Sequence, residues 1–172
     1  MNEEMSEDEI HEAMGAMRDP KCLAEQSAPP RPLGWSEYFM GFAAHAAKKS
    51  KDSTQVGAVL VGPDGEVRLT GYNGPPRGVI DAEERRERPT KYLFASHAES
   101  NLAAFAAREG IRTKGCRVFV THHPCSACAR TLIQAGVVSV AFGPGKTSMP
   151  AEEFTAAEVM FREAGVGLVS LE

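Results

Sequence analysis

A chain of 172 residues with 42% hydrophobic and 24% charged residues is long enough to bury one core without disulfides. Its net charge of −4 argues against a protein that coats nucleic acid, because such binding is driven by clustered Lys and Arg. No run of roughly 18 apolar residues offers a membrane span, and the acidic start lacks the apolar stretch of a signal peptide, so a cytoplasmic location is expected.

Residues 1–19 hold seven acids against the single base Arg18, which leaves a net +2 on the rest. They read as a short, weakly apolar helix. Residues 20–34 contain Pro20, Pro29, Pro30 and Pro32 and read as a linker. The division expected is an extension over 1–34 and one domain over 35–172. Ser36 is a candidate N-cap for a helix to about Ser50, with Phe39, Met40, Phe42, Ala43, Ala46 and Ala47 at helical spacing. Residues 55–62 suit a buried strand, 63–65 a turn, 66–72 a second strand and 73–78 a loop. Residues 81–91 are charged and read as an exposed insertion. A helix is expected from Ser96 to about Glu109, stopped by Gly110. Then come a strand over 116–121, a helix opened by Pro124 and stopped by Gly136, and a strand over 137–142. A helix over 151–164 and a strand over 166–171 complete the chain. The order predicts a three-layer α/β/α sandwich around a mixed five-stranded sheet.

Two short segments carry chemistry: His97-Ala98-Glu99 and Pro124-Cys125-Ser126-Ala127-Cys128. Each falls at an expected helix start that follows sheet structure. Zinc takes thiolate and imidazole ligands, and three protein ligands leave a fourth position to water, as in catalytic sites. Two cysteines three apart reach one ion from one helix face. His97, Cys125 and Cys128 are therefore the candidate zinc ligands. Glu99 is the candidate proton shuttle for attack by water on an amino-bearing ring carbon. Positions two apart diverge on a regular helix, so His97 and Glu99 cooperate only in an irregular first turn. Blander readings stand beside these. Cys125 and Cys128 alone suit a redox pair or half of a structural zinc site, with Cys22 and Cys116 as spare ligands. Ser96 and Glu99 fit a capping box.

The arrangement H-x-E…P-C-x-x-C is the signature of zinc deaminases, and the chain resembles the cytidine and deoxycytidylate deaminase superfamily. Within it, the deoxycytidylate (dCMP) deaminases are most similar. Residues 50–58, the Gly71-Tyr-Asn-Gly-Pro-Pro-Arg-Gly78 loop, His97–Asn101 and Pro124–Cys128 carry the resemblance. It implies a cytidine deaminase-like fold and zinc-dependent conversion of dCMP, or a 5-substituted relative, to the uridylate and ammonia. It also implies that Asn73 contacts the sugar, that the Ala98 N–H contacts the base, and that Arg108 lies near the 5′-phosphate. An arginine fork suits phosphate, although Arg108 also reads as a solvated residue near a helix end. Arg77 has a similar choice between phosphate, effector and solvent. His123 either lines the base pocket or is an exposed strand-end residue, with the second preferred. Family members are commonly homo-oligomers, hexamers or dimers, and many respond to dCTP and dTTP. The alternatives are deamination of tRNA adenosine or of a purine base, and a non-catalytic zinc or nucleotide-binding module. The first needs a basic RNA-binding surface; the last has no need of Glu99 or the Asn73 loop.

Overall fold

Glycine at position 71 lets a strand lie directly under a helix start, and that contact sets the frame of the molecule. The computed structural model describes Asp8 and residues 32–171. The expected N-terminal helix, most of the linker and Cys22 lie outside these residues. Helix α1 spans Trp35–Ala47, followed by strands β1 (Gly57–Val61) and β2 (Val67–Tyr72). A 3-10 turn (Glu83–Arg85) and the four-residue helix α2 (Lys91–Phe94) precede helix α3 (Ala98–Arg108). Strand β3 (Arg117–His122), helix α4 (Ser126–Gln134), strand β4 (Ser139–Gly145), helix α5 (Ala151–Glu163) and strand β5 (Gly167–Ser170) complete the order.

The five strands form one mixed sheet in the order β2-β1-β3-β4-β5. β1 is antiparallel to β2 and to β3, while β3, β4 and β5 run parallel. The parallel strands are joined by α4 and α5, as crossover connections require. Every residue of β1 is buried, and its side chains alternate between two cores. Ala58 and Leu60 join Leu102, Val118, Val120, Leu132 and Phe161 under α3, α4 and α5. Val59 and Val61 face Phe39, Ala43 and Phe119 under α1. The α/β/α sandwich is therefore as expected. A Cβ at Gly71 would stand 2.8 Å from the Ala98 carbonyl oxygen, so only glycine lets β2 approach the first turn of α3 this closely.

The local start signals fared less well. Gly34, not Ser36, is the N-cap of α1, and its carbonyl accepts the Tyr38 N–H at 2.9 Å. The Ser96–Glu99 capping box does not form. Ser96 pairs through its backbone with Gly74 in an isolated bridge, which moves the N-cap of α3 to His97. Helix α4 begins at Ser126 with Cys125 as N-cap, two residues beyond Pro124. The 81–91 segment is not uniformly exposed, because Lys91 at its end is buried. Among the described residues, no helix is long and apolar enough to cross a membrane.

Candidate active site

The site lies at one edge of the sheet, where β2 and β3 end and β1 begins. Two helix starts meet there. His97 and Cys125 are both N-cap residues with extended backbones, at φ −69°, ψ 158° and φ −80°, ψ 174°. The irregular first turn needed for His97 and Glu99 to cooperate is thus present, with Glu99 the second residue inside α3. Asn101 fastens that turn to the preceding loop by donating to the Tyr72 and Gly74 carbonyls at 2.9 and 3.3 Å.

His97 Nδ1 stands 3.4 Å from the Sγ of Cys125 and 3.4 Å from that of Cys128. All three donor atoms lie within 4.8 Å of one another. With Zn–S near 2.3 Å and Zn–N near 2.0 Å, a tetrahedral site separates nitrogen from sulfur by about 3.5 Å. The donor set and its spacing therefore fit zinc. Cys116 is no fourth ligand: it is buried at the start of β3, and its thiol donates to the Arg112 carbonyl at 3.4 Å.

The charges of the cluster are coupled. Cys125 is drawn down to about 3 by its hydrogen bond with Cys128, against burial and with help from His97. Cys128 is pushed up by that same bond and by burial. The pair thus shares one negative charge and keeps one proton. The His97 imidazole is raised by its bond to Cys125. Glu99, only 4% exposed, is raised by burial, which outweighs the lowering by its own backbone N–H and by His97. A carboxyl lifted toward neutrality is suited to both taking and giving a proton.

A cavity of about 100 Å³ opens on this cluster, lined by His97, Ala98, Glu99 and Cys125 together with Asn73, His122 and His123. Ala98 is the first residue inside α3, so its N–H has no acceptor within the helix. The Asn73 amide lines the cavity but also clamps its wall, accepting the Val56 N–H at 2.8 Å and donating to the Thr54 carbonyl at 2.9 Å. His122 is lowered by burial, and its Nδ1 is 2.9 Å from the Thr121 hydroxyl. His123 is not an exposed strand-end residue. Its ring packs on Phe142 and Phe154 at centroid distances of 4.3 and 5.1 Å.

Arg108 is not brought to the cavity. It lies ten residues along α3 from Ala98, about 15 Å at the helical rise. Half-exposed, it binds Glu109 at 2.7 Å and stacks on Phe105 at 4.8 Å, as Arg77 does. The cations that do line the cavity are Arg88 and Lys91. Lys91 Nζ reaches Asp52 Oδ1 at 2.7 Å, with both side chains at most 10% exposed. Burial alone would raise Asp52, but the bonds from Lys91, the Thr54 N–H and Ser53 hold it below its usual value. Neither partner was legible as a site residue, because 39 residues separate them and the local sequence reads as loop and charged insertion. Asp52→Ala is expected to cost about 3 kcal/mol, since it strands a buried ammonium. Denaturant unfolding checks this, and the contribution is lost as pH falls through the depressed Asp52 pKa below 3.8.

A family profile described as the cytidine and deoxycytidylate deaminase zinc-binding region matches residues 33–144. The chain belongs to this family. It is 41% identical over 143 residues to the deoxycytidylate deaminase of Mus musculus, covering 78% of each chain. To the Homo sapiens deoxycytidylate deaminase it is 39% identical over 143 residues, again covering 78% of each. The crystal structure of the dCMP deaminase from cyanophage S-TIM5, in complex with dCMP and dUMP, superposes with a TM-score of 0.66 at 25% identity. That match covers 83% of this chain and 100% of the phage protein.

Proposed function

We propose that this family member deaminates dCMP to dUMP and ammonia by hydrolysis, with zinc held by His97, Cys125 and Cys128. The observation that carries the reading is the placement of Glu99, buried beside the three donor atoms and facing the same cavity. Zinc in such a site polarises a water molecule and lowers its pKa to about 7. Glu99 takes a proton from the attacking water and delivers it to the ring nitrogen as the hydroxyl adds to the amino-bearing carbon; it then relays the proton of that new hydroxyl to the amine, which leaves as ammonia while the carbonyl forms. In this reading the Ala98 N–H, which has no acceptor within the helix, holds the base, and the Asn73 amide, with one donor hydrogen left, the sugar.

For the 5′-phosphate, Arg88 and Lys91 replace Arg108 in this reading, since both line the cavity. A charge-assisted hydrogen bond is worth about 1.5–3 kcal/mol. Arg88→Ala is therefore expected to raise KM for dCMP roughly 10-fold or more, and to leave deoxycytidine turnover unchanged. Steady-state kinetics on the two substrates check the split.

Two further cavities, of about 300 and 320 Å³, flank the Asn73–Gly78 loop. The first is lined by Lys49, Lys51, Arg77, Arg85 and Arg86, of which Lys51 and Arg86 pair with Asp81; the surplus of cations suits a polyphosphate. We assign it to dCTP and dTTP as effectors. Exposed Ile80, Tyr92 and Leu93 suit contact between copies of the chain, in line with a homo-oligomer, hexamer or dimer. Among the described residues, Cys116, Cys125 and Cys128 are free thiols, which suits the reducing cytoplasm. The deciding experiment is ammonia release from dCMP, CMP, deoxycytidine, dCTP, 5-methyl-dCMP, adenosine and guanine. Activity on adenosine or guanine without activity on dCMP would overturn the assignment.

A further inference from the structure

The turn between β3 and α4 carries both cysteines, yet it is braced from a helix that supplies none of the three donor atoms. Ser126, the first residue inside α4, is buried and sits between the two thiols. Its hydroxyl donates to the Glu153 carboxylate in the first turn of α5. The same oxygen accepts from Arg130 Nη1 at 3.3 Å, one turn further along α4. His123, two residues before Cys125, rests on Phe154 of the same α5 turn. Its Nε2 lies 3.3 Å from Glu158 Oε1, one turn further along α5.

We infer that Glu153 is a positioning residue for the zinc loop and acts through the Ser126 hydroxyl. The backbone at Cys125 is extended, so helical regularity alone does not fix its sulfur relative to that of Cys128. Ser126, the first of the two intervening residues, sets the start of that path. Ser126 is held from both sides, with Arg130 donating to it and Glu153 accepting from it. Removing the acceptor leaves a buried hydroxyl without its partner and frees the turn to rotate. Metal ligands tolerate displacements of only a few tenths of an ångström. A support of this kind is worth roughly 10- to 100-fold in metal affinity.

This rests on the zinc reading of the three donor atoms. The test compares Ser126→Ala, Glu153→Ala and Glu153→Gln with the wild-type full chain. Zinc affinity is read by competition with a chromogenic chelator, and melting is followed with and without metal. Ser126→Ala and Glu153→Ala are expected to bind zinc about 10-fold more weakly. The double variant should be no weaker than either single one, because both break the same bond. Glu153→Gln, whose amide oxygen accepts the same hydrogen bond, is expected to stay near wild type. In the two alanine variants, metal-free melting should fall less than melting of the zinc-loaded form. Unchanged zinc affinity in both alanine variants would overturn the inference. So would metal-free melting that falls as far as the zinc-loaded form, since that marks a merely structural contact. A wild-type chain that takes up no zinc would instead sink the zinc reading itself, and the unmutated control shows this alone.

Discussion

Glu99→Gln is expected to lower kcat on dCMP by about 10²- to 10⁴-fold, while zinc content and secondary structure remain those of the wild type. That fall corresponds to about 3–5 kcal/mol of transition-state stabilisation. Glutamine keeps the shape of the side chain and can still accept the hydrogen bond from the backbone N–H of residue 99. It cannot carry a proton between water, ring nitrogen and leaving amine. The location of Glu99 makes the loss severe, because the carboxyl is 4% exposed and solvent offers no ready substitute. The same burial gives a second signature. The folded-state pKa of Glu99 in the metal-free chain is raised above 4.5, so the folded form binds this proton more tightly than the unfolded one. Its contribution to stability is present below pH 4.5 and is lost as pH rises through the raised value. The metal-free Glu99→Gln variant should lack that pH dependence. Ammonia release within threefold of wild type would remove Glu99 from the mechanism.

The grouping of His97, Cys125 and Cys128 with Glu99 was legible because it is carried by short local spacings. His97-Ala-Glu99 and Pro124-Cys-x-x-Cys128 each bring their groups together within one helical turn, whatever the rest of the fold does. The sheet was legible for a related reason: alternating strands and helices leave few connections that are right-handed and uncrossed. Tertiary competition hid the rest. The capping-box spacing at Ser96 and Glu99 is present, but Gly74 takes the Ser96 backbone first and shifts the helix start by one residue. Arg108 shares a helix with Glu99, but the sequence pattern does not say that ten residues of helix separate it from Ala98 and the cavity of its own chain. Lys91 looked solvated among its charged neighbours, and only the fold supplies Asp52 as its buried partner. His123 could not be placed from sequence because Phe142 and Phe154, which enclose it, come from β4 and α5.

Cys128→Ala is expected to abolish stoichiometric zinc binding and deamination while leaving a folded chain. The two hydrophobic cores hold Leu102, Val118, Leu132 and Phe161 on one face and Phe39, Val59 and Phe119 on the other, and neither includes a metal ligand. The sheet therefore survives loss of the site at its edge, and metal analysis together with circular dichroism checks both halves of the statement. In the wild type, stripping zinc with a chelator should lower the melting temperature in a way that depends on free zinc, as binding to the folded state alone requires. The protonation of the empty triad adds a measurable sign. The Cys125 and Cys128 pair retains one proton, because Cys125 is drawn down to about 3 while Cys128 is pushed up. His97 is also raised and holds its proton more tightly than a free imidazole. Zinc needs both thiolates and a neutral imidazole, so loading must expel the Cys128 proton and the share that His97 carries. Proton release on zinc addition in weak buffer should therefore exceed one per chain near neutral pH, and apparent zinc affinity should weaken as pH falls. Zinc uptake without proton release would mean that the ion binds elsewhere than between these three side chains.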